Sequence, residues 1–228
     1  MQIRLLLLVI TSLSAGLLYG QDTVQFKAPI ISPSIHWDYG KTATTWTAFE
    51  SKTELGFNLM ILDRYELVTE LGRATLNPNQ GFKNIRYEVD GQYLRVGLGY
   101  LGYIDPKNRI GLRVMYGQSQ FEDSGAVLID SESNYNLPYE RAFARTDLMA
   151  SWGEVVIVSQ RYVTLKKSAS PDAWINRVAS IGALFRYRQL LASSDTDNIP
   201  PYYAIPGYGR ATSDQLVAFN VFLRIMIF

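Results

Sequence analysis

The sequence predicts an all-β fold, an eight-stranded antiparallel up-and-down transmembrane β-barrel with short periplasmic turns and long extracellular loops. Three observations predict it. Successive segments alternate between apolar and polar residues with a period of two. Aromatic residues make up 13% of the chain, yet beyond the N-terminus no stretch is apolar enough for a membrane helix. The alternating region also follows a leader of secretory type.

That leader has one early positive charge at Arg4, an apolar run from Leu5 to Ile10, and small or polar residues through Gly20. It reads as a signal peptide over residues 1–20, leaving residues 21–228 as a single outer-membrane barrel domain. With no cysteine, the chain is expected to carry no disulfide, thiolate metal site or lipid-bearing cysteine. Removing the leader takes away Arg4 and no acid, which leaves basic and acidic residues equal in number. That balance argues against nucleic acid as a partner.

The strands can be justified in order. The first is expected near Ile31–Tyr39, with Ile31, Ile35, Trp37 and Tyr39 opposite Ser32, Ser34, His36 and Asp38. In Ala48–Ile61, Phe49, Leu55, Phe57, Leu59 and Ile61 share one parity, and Glu50, Lys52, Glu54, Gly56 and Asn58 share the other. A tight turn over 62–64 leads to Tyr65–Thr75, and the same parity recurs in Arg86–Tyr103 and, after a turn at 104–108, in Arg109–Phe121. Less regular strands follow over 145–165 and 174–191, and Thr212–Ile227 completes an even count of eight.

Connector lengths are expected to alternate, with short turns near 62–64, 104–108 and 166–173, and longer outer loops near 40–46, 77–85, 122–144 and 192–211. Tyr39, Trp46, Tyr87, Tyr103, Tyr162 and Trp174 fall near predicted strand ends, where amphipathic rings favour a water–lipid boundary. The competing fold is a soluble sandwich or lipocalin-like barrel, whose strands also alternate but point their apolar face inward. Parity alone leaves that inversion open. The glycines argue against it, because Gly56, Gly72, Gly97, Gly99, Gly111, Gly117 and Gly182 all fall on the polar side, as a narrow crowded interior requires.

The expected lumen holds Glu50, Glu54, Glu66, Glu70 and Glu154 against Lys52, Arg95, Arg113, Arg186, Arg188 and Arg224. Eight strands leave an interior just wide enough for side chains to fill, so these charges should pair across the barrel and plug it. A proton or ion path is the functional alternative, since intramembrane charges often mark transport. The chain has one histidine, His36, with Ser34 and Asp38 on the same face. That trio is the sole candidate for nucleophilic chemistry, and a lumen histidine hydrogen-bonded to its neighbours is the plainer reading. No metal cluster, P-loop or dinucleotide fingerprint is present, so no cofactor is expected.

Two outer loops bear on partners. The 122–144 loop is acidic, with Glu122, Asp123, Asp130, Glu132 and Glu140. The segment containing Tyr202, Tyr203, Ile205, Pro206 and Tyr208 combines rigid prolines with tyrosines of the kind enriched at interfaces, and is expected to be an exposed partner loop.

Glu70-Leu71-Gly72, Gly91-Gln92-Tyr93-Leu94-Arg95-Val96-Gly97, Gly111-Leu112-Arg113 with Tyr116-Gly117, Trp152, Glu154 and Ile205-Pro206-Gly207-Tyr208 occur in an order that resembles an uncharacterised outer-membrane β-barrel family of Bacteroidota, a domain of unknown function. The resemblance runs from about residue 50 to the C-terminus and departs from the family in the first strand and the 122–144 loop. It implies a barrel rather than a reaction. For some members it implies service as accessory subunits of an outer-membrane protein or surface-lipoprotein assembly machine. The expected function is therefore a non-enzymatic accessory or structural barrel whose partners are outer-membrane lipid and larger envelope proteins. The alternatives are a free-standing barrel whose loops bind an external ligand, a lipid-modifying enzyme, and a small channel.

Overall fold

The structure, a computed structural model, describes residues 30–44, 50–77, 85–129, 139–167, 169, 173–194, 204–211 and 213–227. Among the described residues ten strands are present: β1 (Ile31–Trp37), β2 (Glu50–Ile61), β3 (Tyr65–Leu76), β4 (Ile85–Tyr103), β5 (Asn108–Ile129), β6 (Tyr139–Tyr162), β7 (Ala179–Ser193), β8 (Ala204–Ile205), β9 (Gly209–Arg210) and β10 (Gln215–Met226). An α-helical segment, α1, spans Tyr39–Thr44. Eight strands close into an antiparallel ring in the order β1-β10-β7-β6-β5-β4-β3-β2, a closed barrel in which chain neighbours pair and β1 seals against both β2 and β10. Closure matters energetically because it leaves the paired part of the sheet without an edge.

The strands form where the alternation predicts them, and the parity sorts as expected. In β3, Val68, Glu70 and Ala74 are buried while Tyr65, Leu67 and Leu71 are exposed. In β4, Arg95 is fully buried and Leu98 is 67% exposed, three residues away on the opposite face. The polar face is therefore the inner one. This excludes the lipocalin-like inversion, in which the leucines would fill the lumen.

Several boundaries moved, each for a physical reason. Tyr39 does not continue β1. It opens α1, whose Thr42 hydroxyl donates to the Asp38 carbonyl at 3.0 Å and accepts from Trp37 Nε1 at 2.9 Å. These side-chain bonds to local groups favour a turn over a ladder. Trp174 lies in a short 3-10 turn, Trp174–Asn176, before β7 begins at Ala179.

The acidic 122–144 segment is mostly strand rather than loop, because β5 and β6 pair out to Ile129↔Tyr139. Inside that extension Asp123 accepts from Tyr87 Oη at 2.9 Å and pairs with Arg145, so its charge faces inward and is compensated. The 163–178 connection is not short either. Its Asn176 and Arg177 are buried against the end of the ring.

The β2–β3 turn places both Leu62 and Asp63 at positive φ, 52° and 56°. Three residues separate the paired Ile61 and Tyr65, with the Arg64 amide donating to the Ile61 carbonyl at 3.2 Å, and positive φ is uncommon for a residue as bulky as leucine. Asp63 is held in place by Arg109 at 3.2 Å, Arg177 at 3.3 Å and the Tyr103 hydroxyl at 2.6 Å, which offsets the strain.

The β4–β5 turn uses a different device. Asp105, exposed, accepts from Asn108 Nδ2 at 2.6 Å and from the backbone amides of Lys107 and Asn108 at 2.8 and 2.9 Å. The Asn108 amide above all, with the backbone donors, holds its carboxyl below the usual aspartate range. Since the folded turn favours the ionised form, this contribution to turn order is present above the ordinary aspartate pKa and is lost as pH falls through the lowered one. An NMR titration of the Asp105 carboxyl should give a depressed midpoint that rises in Asn108→Ala; equal midpoints in the two proteins would rule out the amide as the cause.

The inward glycines do what the crowded-lumen argument requires. Gly56 pairs across β1–β2 with His36, and Gly72 pairs across β3–β4 with Tyr93. A Cβ on Gly56 would sit 1.9 Å from the His36 ring, and one on Gly72 would sit 2.2 Å from the Tyr93 ring. Each ring lies over the backbone of the neighbouring strand, so the glycine is the space the ring occupies.

Candidate functional site

The interior is layered. Nearest the Leu62–Arg64 turn, Asp63 is gripped by Arg109 and Arg177, whose guanidiniums lie 4.5 and 5.3 Å from the Tyr103 ring centre. One layer up, Glu66 takes Arg113 Nε at 2.8 Å on one oxygen and Arg224 Nη1 at 2.7 Å on the other. Arg224 also donates to Gln160 Oε1 at 2.9 Å. Around and above this layer, Val68, Leu101, Met115, Val156, Val158, Leu184 and Phe222 form an apolar cluster.

The densest charge cluster lies at mid-height and combines three carboxylates with three guanidiniums. Arg95 reaches Glu70 at 2.5 Å and Glu54 at 3.2 Å, while its Nε lies 3.1 Å from Glu154 as a charge contact off the hydrogen-bond line. Arg186 bridges Glu70 at 2.7 Å and Glu154 at 2.8 Å, and Arg188 Nε lies 3.0 Å from Glu154. Tyr93 donates to Glu54 at 2.5 Å, and Trp152 Nε1 to Glu154 at 2.7 Å. All six charged residues are almost completely buried. Buried charges are tolerated only when paired and hydrogen-bonded, and here each carboxylate has at least two partners.

Of the lumen residues expected from parity, Lys52, Glu54, Glu66, Glu70, Arg95, Arg113, Glu154, Arg186, Arg188 and Arg224 are all buried inside the ring. Lys52 lies 5.1 Å over the Tyr93 ring. Glu50 begins β2, and its side chain lies outside the described residues. Sequence reasoning missed Asp63, Arg109 and Arg177, which close the lower end. It also expected Tyr87, Tyr103 and Tyr162 at a lipid–water boundary, whereas Tyr87 and Tyr162 are buried and all three hydroxyls bond to inward polar groups, to Asp123, Asp63 and Arg109 respectively. Arg109 shares parity with Arg113, a signal that was there to find; Arg177 lies in a connection that has no parity.

The partner-loop expectation needs correction. Tyr202 and Tyr203 lie outside the described residues, but Ile205, Pro206 and Tyr208 are buried rather than exposed. The segment turns back into the upper lumen as the β8–β9 hairpin, with Ala204 paired to Arg210 and Ile205 to Gly209. Gly207 and Gly209, at φ 81° and 118°, make that tight return possible.

There the hairpin joins Ala74, Tyr87, Tyr93, Phe121, Leu148 and Trp152 in a second apolar cluster, with Tyr208 packed edge-on to Trp152 at 5.8 Å. Two forces draw it in. Its apolar side chains leave water, and its carbonyls answer buried cations: the Gly207 oxygen accepts from Arg95 at 3.0 Å and the Tyr208 oxygen from Arg188.

His36 is buried, and the Ser–His–Asp trio does not assemble as a relay. Its Nδ1 lies 2.9 Å from the Asn58 amide, its Nε2 lies 3.4 Å from Glu70, and its ring meets Phe222 edge-on at 5.8 Å. Asp38 accepts instead from Asn220. Among the described residues, no group of three or more histidines and carboxylates is arranged to hold a metal. A small hollow of about 10 Å³, lined by Ser34, Gln160, Tyr162, Ser180 and Arg224 among others, has room for about one water.

A sequence profile for the family described as Domain of unknown function (DUF6048) matches residues 38–227, from the end of β1 through β10. The chain belongs to the DUF6048 family. The match takes in seven of the eight ring strands and every residue of the mid-height cluster, but His36 falls before it. The DUF6048 domain here is thus coextensive with the ring from α1 onward. Among curated proteins, none matches the chain.

Proposed function

We propose that the chain is an integral β-barrel of a bacterial outer membrane, exported by its N-terminal leader, with a sealed lumen and a non-enzymatic accessory or structural role in an envelope complex. The observation that carries this reading is the outer wall. Ile35, Phe57, Leu71, Leu98, Val114, Ile157, Phe185 and Phe219 are all exposed, one from each ring strand, while Glu54, Glu66, Glu70, Glu154, Arg95, Arg113, Arg186, Arg188 and Arg224 are buried. A continuous apolar girdle around a polar interior is the inverse of a soluble barrel, and it far exceeds the apolar patch of an ordinary soluble monomer. Tyr65 and Tyr100 pack edge-on at 5.6 Å near its lower border, where aromatic rings favour the lipid–water boundary.

The plugged lumen supports function on the wall and rim rather than through the centre. Paired charges fill mid-height, and the β8–β9 hairpin fills the level above. Inserted in a planar bilayer, the folded protein should be electrically silent; discrete conductance steps would overturn the sealed lumen. Ile205, Pro206 and Tyr208 are buried, so three of the five residues expected to form an exposed binding loop turn away from solvent, and the accessory role proposed here rests on the wall rather than on that loop. Extraction in mild detergent should bring down a stoichiometric envelope protein, and the protein eluting alone would count against that role.

A further inference from the structure

The outer wall turns concave where β4, β5 and β6 outrun their neighbours. β3 stops pairing with β4 at Leu76↔Val89, and β7 pairs with β6 no further up than Ser193↔Ala150, yet β5 and β6 continue together to Ile129↔Tyr139. Register shifts between Phe121 and Asp123 and between Ser151 and Trp152 mark the level where this three-stranded flap departs from the ring. Bulges of this kind bend a strand and increase its twist. Asp147, at φ 58°, adds a further irregularity to β6 nearby.

Two hollows lie against this bend. A groove of about 580 Å³ and a smaller one of about 340 Å³ share Arg73, Gln92 and Gln120 in their walls. The register orders their lining. Leu55, Leu71 and Leu94 form one row, ended by Gln118; one step up, Thr53, Arg73, Gln92 and Gln120 form the next; Asp90 and Glu122 follow. Each step is two residues of strand, about 7 Å. Within two steps the wall passes from leucine through amide and guanidinium to carboxylate. Met149 closes the apolar groove, and Thr146 and Asp147 line the polar one.

We propose that this stepped groove binds one glycosylated lipid of the surrounding leaflet, with an acyl chain along the leucine row and a sugar head group in the polar hollow. The inference rests on the membrane reading above, because the apolar groove is continuous with the proposed lipid-facing wall. The head-group class follows from the lining. The one cation, Arg73, already lies 2.9 Å from Asp90, so the site offers no surplus positive charge for a bare phosphate. What it offers is amides, which donate and accept, beside carboxylates, which accept. Sugar hydroxyls, each both donor and acceptor, complement that set. The polar hollow falls within the range of small-molecule sites, roughly 300–1,000 Å³.

Native mass spectrometry of the full-length protein, extracted in mild detergent from its own host membrane, tests this. One bound lipid carrying a sugar head group is expected. In Gln92→Ala/Gln120→Ala its occupancy should fall by about tenfold in apparent affinity, the equivalent of roughly 1.4 kcal/mol. Leu71→Trp, which fills the groove, should abolish it. A heat-modifiable shift on electrophoresis must be retained in each variant. Unchanged retention in the variants, a retained phospholipid, detergent alone, or a second copy of the chain in place of lipid would each overturn the site. Failure of the wild-type protein to float with lipid vesicles would sink the membrane reading instead, whereas flotation without bound glycolipid sinks this inference alone.

Discussion

Glu70→Ala is expected to destabilise the protein by roughly 3–5 kcal/mol, the cost of removing one partner from a buried ion network. Glu70 is fully buried and lies 2.5 Å from Arg95, 2.7 Å from Arg186 and 3.4 Å from His36. Deleting it leaves Glu54 and Glu154 to be shared among three arginines. Glu70→Gln keeps the volume and one acceptor, so it should cost less than the alanine. Replacing Glu70 and Arg186 together by methionine should recover part of the loss, because removing both partners avoids a stranded charge. Urea unfolding from lipid vesicles, followed by tryptophan fluorescence, reads all three. A loss below about 1 kcal/mol for the alanine, the range of solvent-exposed pairs, would mean that water reaches the cluster and the lumen is not sealed.

The second large effect tests the wall. Leu98→Arg places a cation in the middle of the exposed apolar rows of β4, between Leu94 or Val96 above and Tyr100 below. Near the middle of a bilayer an arginine on the lipid face costs about 2–4 kcal/mol, and near the interface about 0–1. Glu122→Arg, on the polar row well above the leucines, should therefore cost little in the same vesicles. The contrast between the two is the measurement. A soluble barrel would gain solubility from Leu98→Arg and lose no stability, so near-equal stability of both variants in lipid would sink the membrane reading.

The two predictions draw on parts of the molecule that were unequally legible. Leu98 and Glu70 could each be assigned a face from their neighbours alone, since Leu94, Val96 and Leu98 repeat every second residue, as do Glu66, Val68 and Glu70. What no local pattern shows is that Glu70 meets Arg186, 116 positions later in the chain. Nor does it show that Ile205 and Tyr208 prefer the lumen. Tyrosines and prolines in a connector resemble an exposed binding loop until the cup formed by Tyr93, Phe121 and Trp152 is in place to receive them. The 122–144 segment was misread for a related reason. Its acids looked like solvated loop residues, and only the pairing of β5 with β6 brings Asp123 to Arg145 and Tyr87.

By itself, then, the sequence determined the all-β class, the number of ring strands and the faces of the regularly alternating strands, because a period of two is a property of neighbouring residues and needs no partner strand. The tertiary structure decided which charges neutralise one another, where the 204–210 segment goes, and how far β4, β5 and β6 rise beyond the ring. Those depend on closure: joining β1 to β10 brings the inner faces of non-adjacent strands within hydrogen-bond distance, and in that confined space each buried charge and carbonyl takes the partners it can reach.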